Sequence, residues 1–270
     1  MITILIATDF SNASRNASLY GIKLARALNA KIILFNSYNI PAPAPGLNVS
    51  VSGYDVMMQT DKWLLDEAAF LDPTREIIDI TCDEGVAEDA IINIANEKKA
   101  TFIIAGMKGS GKNFKMIFGS TATSLIRKSN IPVIIVPEEA QFVTPKIILF
   151  ASDSVPGANP GHLDKIKVIT DAFESTLYVV RLSNDENAGI FEKLHTPGKI
   201  RGDSEKDDAF FQFPVDTDIR HTLNKFINQH HVDIVVMMPH KHEWLERLFK
   251  KSETKDMIFH THIPVLVIPE

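Results

Sequence analysis

One cysteine, Cys82, in 270 residues permits no disulfide within the chain and leaves too few thiolates for a cysteine-built zinc site. At the end of an apolar run it reads as a small apolar side chain at a strand end. No apolar run approaches the ~18 residues of a membrane span, and mean hydropathy is +0.01. Basic residues are in deficit: 28 Lys and Arg against 34 Asp and Glu give a formal charge of −6, the wrong sign for binding a phosphate backbone by counterion release. The expected partners therefore include neither nucleic acid nor membrane. The N-terminal run Ile2 to Ala7 lacks a basic flank and stops at Thr8-Asp9, too short for the apolar region of a signal peptide, so the expected location is cytoplasmic.

What is present is an alternation of short apolar runs and helix-period segments. Ile2 to Ala7, Ile32 to Phe35, Glu76 to Thr81, Thr101 to Ala105 and Val133 to Val136 read as strands. Between them lie helical stretches from about Ser11 to Leu28, Asp55 to Leu71 (Trp63, Leu64 and Ala68 facing inward), Val86 to Glu97, and Ser120 to Ser129. The stretch Asn39 to Gly53 is loop by its prolines and glycines. Strands separated by helices imply right-handed crossovers and a doubly wound α/β sheet. A shift of 144 lays Ile4-Leu5-Ile6-Ala7-Thr8-Asp9 on Ile148-Leu149-Phe150-Ala151-Ser152-Asp153, and a shift of 132 lays Ile131 to Pro137 on Ile263 to Pro269. The chain is a tandem duplication of two mostly parallel five-stranded domains, 1–137 and 146–270, joined by the linker 138–145. The second copy is 12 residues shorter between these anchors, with Asn39 to Gly53 the expected place of the loss.

Ligands of an open parallel sheet sit beyond the carboxyl ends of the strands where strand order reverses, which directs attention to Thr8-Asp9-Phe10-Ser11 and to Gly106 through Thr121. Gly119-Ser120-Thr121 at the start of a helix offers amide groups and hydroxyls to an anion, and Asp9 is placed to accept hydrogen bonds from a base or ribose. Gly106-x4-Gly111-Lys112 misses the P-loop signature, because Asn113 stands where a hydroxyl is required and Phe114 to Phe118 separate it from the helix. No glycine lies between Met1 and Gly21, which excludes a dinucleotide fingerprint after the first strand. Nor is there a G-x-S-x-G elbow. Seven of nine histidines lie between His221 and His262, but His240 and His242 follow one strand whereas His260 and His262 precede its parallel neighbour, about 16 Å away at ~3.3 Å per residue. They are expected to share no metal.

The spacing Gly-x2-Gly-x9-Gly-Ser, met by Gly106, Gly109, Gly119 and Ser120, resembles the nucleotide-binding motif of the universal stress protein family. So do Thr8-Asp9-Phe10-Ser11 and the closing Ile131-Pro132-Val133-Ile134-Ile135-Val136-Pro137. The resemblance implies ATP, with or without Mg2+, in the first domain. By it, Asp9 and Ser37 contact the adenine, Ala7 and Thr8 edge the base, Gly106 lies near the ribose, and Gly109, Gly119, Ser120 and Thr121 hold the phosphates. It also implies that the two final strands, Val133 to Val136 and Val265 to Ile268, join the domains as an intramolecular pseudo-dimer, with a homodimer of whole chains left open. In the second copy Met238, Lys241 and Lys251 replace the three glycines and only Ser252 and Asp153 persist, so weak or absent ATP binding is expected there. The implied role is a nucleotide-responsive stress protein. Two other readings stand beside it: a slow ATPase or phosphotransferase, and an interaction module that binds no nucleotide.

Overall fold

The computed structural model describes residues 1–41, 52–74, 78–107, 120–152, 160–183, 210–214, 219–238 and 262–269. The first half runs β1 (Thr3–Ala7), α1 (Asn12–Leu28), β2 (Lys31–Tyr38), α2 (Gly53–Leu71), β3 (Ile78–Glu84), α3 (Ala87–Glu97), β4 (Phe102–Met107), α4 (Ser120–Lys128) and β5 (Val133–Pro137). The second half follows as β6 (Ile147–Ser152), α5 (Pro160–Phe173), β7 (Thr176–Ser183), β8 (Phe210–Pro214), α6 (Ile219–His230), β9 (Ile234–Met238) and β10 (Val265–Val267). Within each half the strands are parallel, and the order 3-2-1-4-5 recurs as β8-β7-β6-β9-β10.

The two sheets are one. β10 pairs antiparallel with β5, Val265 opposite Ile135, Leu266 opposite Ile134 and Val267 opposite Val133, making a ten-stranded sheet with β3 and β8 at its edges. All five residues of β5 and all three of β10 are buried, as expected where apolar strands meet helices on both faces. Alternating side chains feed two cores. One face gathers Ile4, Ile6, Leu24, Leu64, Ile134, Phe150, Ile166 and Leu266; the other gathers Leu5, Ile103, Leu125, Ile135, Leu223 and Val265. Each core therefore runs through both halves.

Register confirms the duplication. Ala7 faces Ala105 as Ala151 faces Met237, so both shifts read from the sequence are in phase. Phe35 faces Thr81, whereas Val180 faces Phe211; the second copy thus shortens between its second and third strands.

Several local readings change. β2 continues through Asn36, Ser37 and Tyr38, because β3 pairs with it up to Tyr38 opposite Glu84. Ser37 is consequently a strand residue. On α2 the inward stripe is Thr60, Leu64, Glu67, Ala68 and Leu71; Trp63 lies about a quarter-turn off it and is 51% exposed. Residues 138–146 form no strand but are held down: Asn16 Nδ2 donates to the carbonyls of Pro137 and Ala140, and the Phe142 ring meets Tyr20 edge-on at 5.2 Å. His262 is exposed, while His240, His242 and His260 lie outside the described residues. Among the described residues no group of His, Cys, Asp and Glu is arranged to hold a metal, and no helix is long and apolar enough to cross a membrane.

Cys82 sits within β3 rather than beyond its end, and its Sγ donates to Asp61 Oδ1 at 3.1 Å, a polar partner that composition did not suggest. Burial, reinforced by Asp61, pushes the thiol up to about 12. The thiolate is the nucleophile, so Cys82 should react with iodoacetamide at pH 8 far more slowly in the native protein than in urea. Equal rates, read by mass spectrometry, would contradict the Cys82–Asp61 contact.

Candidate functional site

The candidate side chains are placed by the ends of β1 and β4, the central pair between which strand order reverses. β1 stops at Ala7, and the next four residues fold back on themselves. Thr8 N donates to the Phe35 carbonyl, prolonging the sheet by one bond, and Thr8 Oγ1 accepts from Phe10 N at 3.0 Å. Asp9 Oδ1 accepts from Ser11 N at 3.0 Å. Ser11 caps α1 by accepting from Ser14 N at 3.3 Å, and the Ser14 and Thr8 hydroxyls hydrogen-bond at 3.2 Å. Thr8 and Ser14 are both buried. A serine- and threonine-rich turn can thus satisfy its own polar groups without apolar packing.

Two further devices close the framework. Asn36 Nδ2 donates to the Thr8 carbonyl at 2.7 Å, clamping the tip of β1 to β2. Gly106 lets β4 lie directly under the first turn of α1: a Cβ there would stand 2.5 Å from the Ala13 carbonyl oxygen and 2.8 Å from Ser14 N. That contact is between backbones and cannot be relieved by turning a side chain.

Together these elements enclose a cavity of about 640 Å³, within the range of small-molecule sites. Ala7, Thr8 and Asp9 form one wall with Ser11 and Ser14; Ser37, Asn36 and Asn39 from the β2 end form another. Gly106 lies on the floor, Ser120 and Thr121 face it from the start of α4, and Ala87 and Ile91 cover it from α3. Seven of the nine residues singled out from sequence, Ala7, Thr8, Asp9, Ser37, Gly106, Ser120 and Thr121, therefore share one cavity. Gly109 and Gly119 fall outside the described residues. Asn36, Asn39 and Ser14 were missed. Asn36 and Asn39 follow the apolar run that marked the strand, and Ser14 looked like an ordinary helix residue, since the cap bond from Ser11 uses its backbone N–H and says nothing of its hydroxyl.

The electrostatics favour an anion at one end and a hydrogen-bond donor at the other. The first turns of α1 and α4 both line the cavity and hold no acidic residue; Asp9 stands at the amino end of α1 through Ser11 N, while the amino end of α4 faces the cavity without an acidic side chain among the described residues. Asp9 is the one charged side chain among the described lining residues. At the opposite end of α4, Lys128 reaches Asp89 at 2.9 Å and Glu88 at 3.4 Å in the first turn of α3, fastening together the two helices that flank the opening.

A doubly wound α/β pair with a preformed cleft at the strand-order switch is the class of protein this architecture defines. A model of the universal stress protein family matches residues 1–137 and again residues 146–269, and the chain belongs to that family. The stress response protein NhaX of Bacillus subtilis (strain 168) is 30% identical, over 49% of this chain and 96% of that protein. Over the whole length, the crystal structure of a universal stress protein from Archaeoglobus fulgidus DSM 4304 superposes with a TM-score of 0.66 at 14% identity, covering 99% of this chain and 98% of that one. That second likeness is one of fold.

Proposed function

We propose that the first half binds ATP in the cavity between β1 and β4, and that the protein acts as a nucleotide-responsive regulator in a stress response. The observation that carries this reading is the convergence of two helix N-termini and one carboxylate, Asp9, on a single preformed cavity. In it, Asp9 and Ser37 meet the adenine beside Ala7 and Thr8, and Gly106 permits close approach at the ribose. Ser120 and Thr121, with the amides of the first turn of α4, meet the phosphates, assisted by Gly109 and Gly119 of the neighbouring segment. Charged oxygens gain most from such donors because charge-assisted hydrogen bonds are roughly twice as strong as neutral ones.

Binding rather than turnover is the favoured activity. Hydrolysis requires a base or a water-positioning group at the γ-phosphate. Asp9, the one charged side chain among the described lining residues, is on the β1 side of the cavity and is engaged by Ser11 N. Mg2+ would act here as a companion of the phosphates. In the second half Met238 occupies the position of Gly106 and is buried in the core, so its side chain stands where the first half leaves backbone bare. One site per chain follows.

The test is to denature fresh protein, identify any released nucleotide by chromatography, and titrate the emptied protein with ATP by calorimetry. The expected result is a stoichiometry near one, lost in Gly109→Val and Gly119→Val and kept in Lys241→Ala and Lys251→Ala. Protein that carries no nucleotide and gives no binding heat would overturn the reading.

A further inference from the structure

A second concavity, of about 470 Å³, opens on the far side of the turn that builds the first. It is lined by Phe10, Arg15, Trp63, Asp66, Glu67 and Phe70. Trp63, Asp66, Glu67 and Phe70 recur at i, i+3, i+4 and i+7 on α2, and Trp63 and Phe70 are 51% and 62% exposed. Arg15, 40% exposed, is held by Glu67. Its Nε and Nη2 donate to Glu67 at 2.8 and 2.6 Å, and Glu67 is only 5% exposed, so the floor is a neutralised ion pair. The same guanidinium lies over Phe70, 5.0 Å from the ring centre, a cation already held on an aromatic face. Asp66 is on the rim and has no ion-pair partner among the described residues. With Phe70 already carrying Arg15 on one face, the exposed Trp63 ring beside the Asp66 carboxylate is complementary to a further organic cation.

Phe10 joins the two concavities. Asp9 and Ser11 line the first, while Phe10 between them lines the second and meets Trp63 edge-on at 5.9 Å. Its φ is +61°, a left-handed conformation rare for a bulky residue, held by the hydrogen bonds to Thr8 and Asp9 on either side.

We infer that the groove on α2 receives a lysine or arginine side chain of a partner protein, and that the occupant of the nucleotide cavity sets its affinity through the Thr8–Ser11 turn. A ligand drawing on Asp9 competes with Ser11 N for the carboxylate, and any shift of that turn moves Phe10 against Trp63. The groove stands on its own geometry; its control rests on the nucleotide reading.

Full-length protein carrying Trp244→Phe leaves Trp63 as its one tryptophan. Its fluorescence is followed while the capped peptide acetyl-Leu-Arg-Leu-amide, or the same peptide with Glu for Arg, is titrated with and without ATP. The arginine peptide should give a saturable change, the glutamate peptide none, and Asp66→Lys should weaken binding at least tenfold. ATP should change the peptide affinity at least threefold, and Phe10→Ala should remove that change while retaining the ATP heat. Equal responses to both peptides, or indifference to Asp66→Lys, overturn the cation site. Unchanged peptide affinity in protein that gives an ATP heat overturns the coupling. Absence of ATP heat refutes the nucleotide reading and its control together, and leaves the peptide comparison to decide the groove.

Discussion

Gly106→Val should abolish ATP binding and lower the stability of the chain by about 3 kcal/mol, the upper end of what overpacking a tight site costs. The added atoms meet the Ala13 carbonyl at 2.5 Å and Ser14 N at 2.8 Å, so either α1 lifts at its N-terminus or β4 moves. Both outcomes disturb the cavity, because Ser11 and Ser14 line one side of it and Ala105 and Gly106 the other. Gly106→Ala should show the same effects at about half the size. Chemical denaturation gives the stability and calorimetry the affinity. A valine variant with native stability would mean that α1 does not pack on β4 at this point. Normal ATP binding by a destabilised variant would mean that the first turn of α1 has no part in the site.

Leu266→Ala should cost about 3–4 kcal/mol, a full core truncation in a position that is 0% exposed opposite the equally buried Ile134. The informative part is the shape of the unfolding curve. Leu266 and Ile134 belong to a core that also contains Ile4 and Leu24 of the first half and Phe150 and Ile166 of the second. Wild type and variant should therefore each unfold in one transition, with near- and far-ultraviolet signals coincident. Two transitions, only one of them displaced by the substitution, would show that the halves fold as separate units despite their shared sheet.

The sequence read most clearly where one physical cause dominated. Ile4-Leu5-Ile6 and Val133 to Val136 are apolar on both faces because helices cover both, and such runs are visible without any structure. The repeat was legible for the same reason, since the strands at both ends of each copy keep their order. Legibility failed where polar atoms do the structural work. β2 runs on through Asn36-Ser37-Tyr38, whose backbone is held by β3 and of which Asn36 and Ser37 line the cavity, so apolar content marks its end too early. Trp63 was placed on the inner face with Leu64 and Ala68, but the buried stripe runs through Leu64 and Glu67, and buried Glu67 is acceptable only because Arg15 reaches it from another helix. Gly106 was legible as a candidate for the cavity but not as a packing residue. Its necessity depends on the Ala13 backbone, 93 positions earlier in the chain, which no local pattern reports.

The antiparallel meeting of β5 and β10 has a consequence for how the two copies have been free to change. Across that seam the strands of one half point opposite to those of the other, so their carboxyl-terminal rims lie on opposite margins of the sheet. In a dimer of identical chains every substitution appears twice, and an alteration at the site is imposed on both rims together. Here the copies are covalently joined and the substitution falls once. Met238 can bury a side chain in the core at the position where Gly106 leaves backbone bare, and the seam that both halves need for burial is untouched by the difference. The duplication thereby separates the seam that holds the molecule together from the rims at which its copies differ, giving a molecule with two faces of one ancestry and unlike constraints.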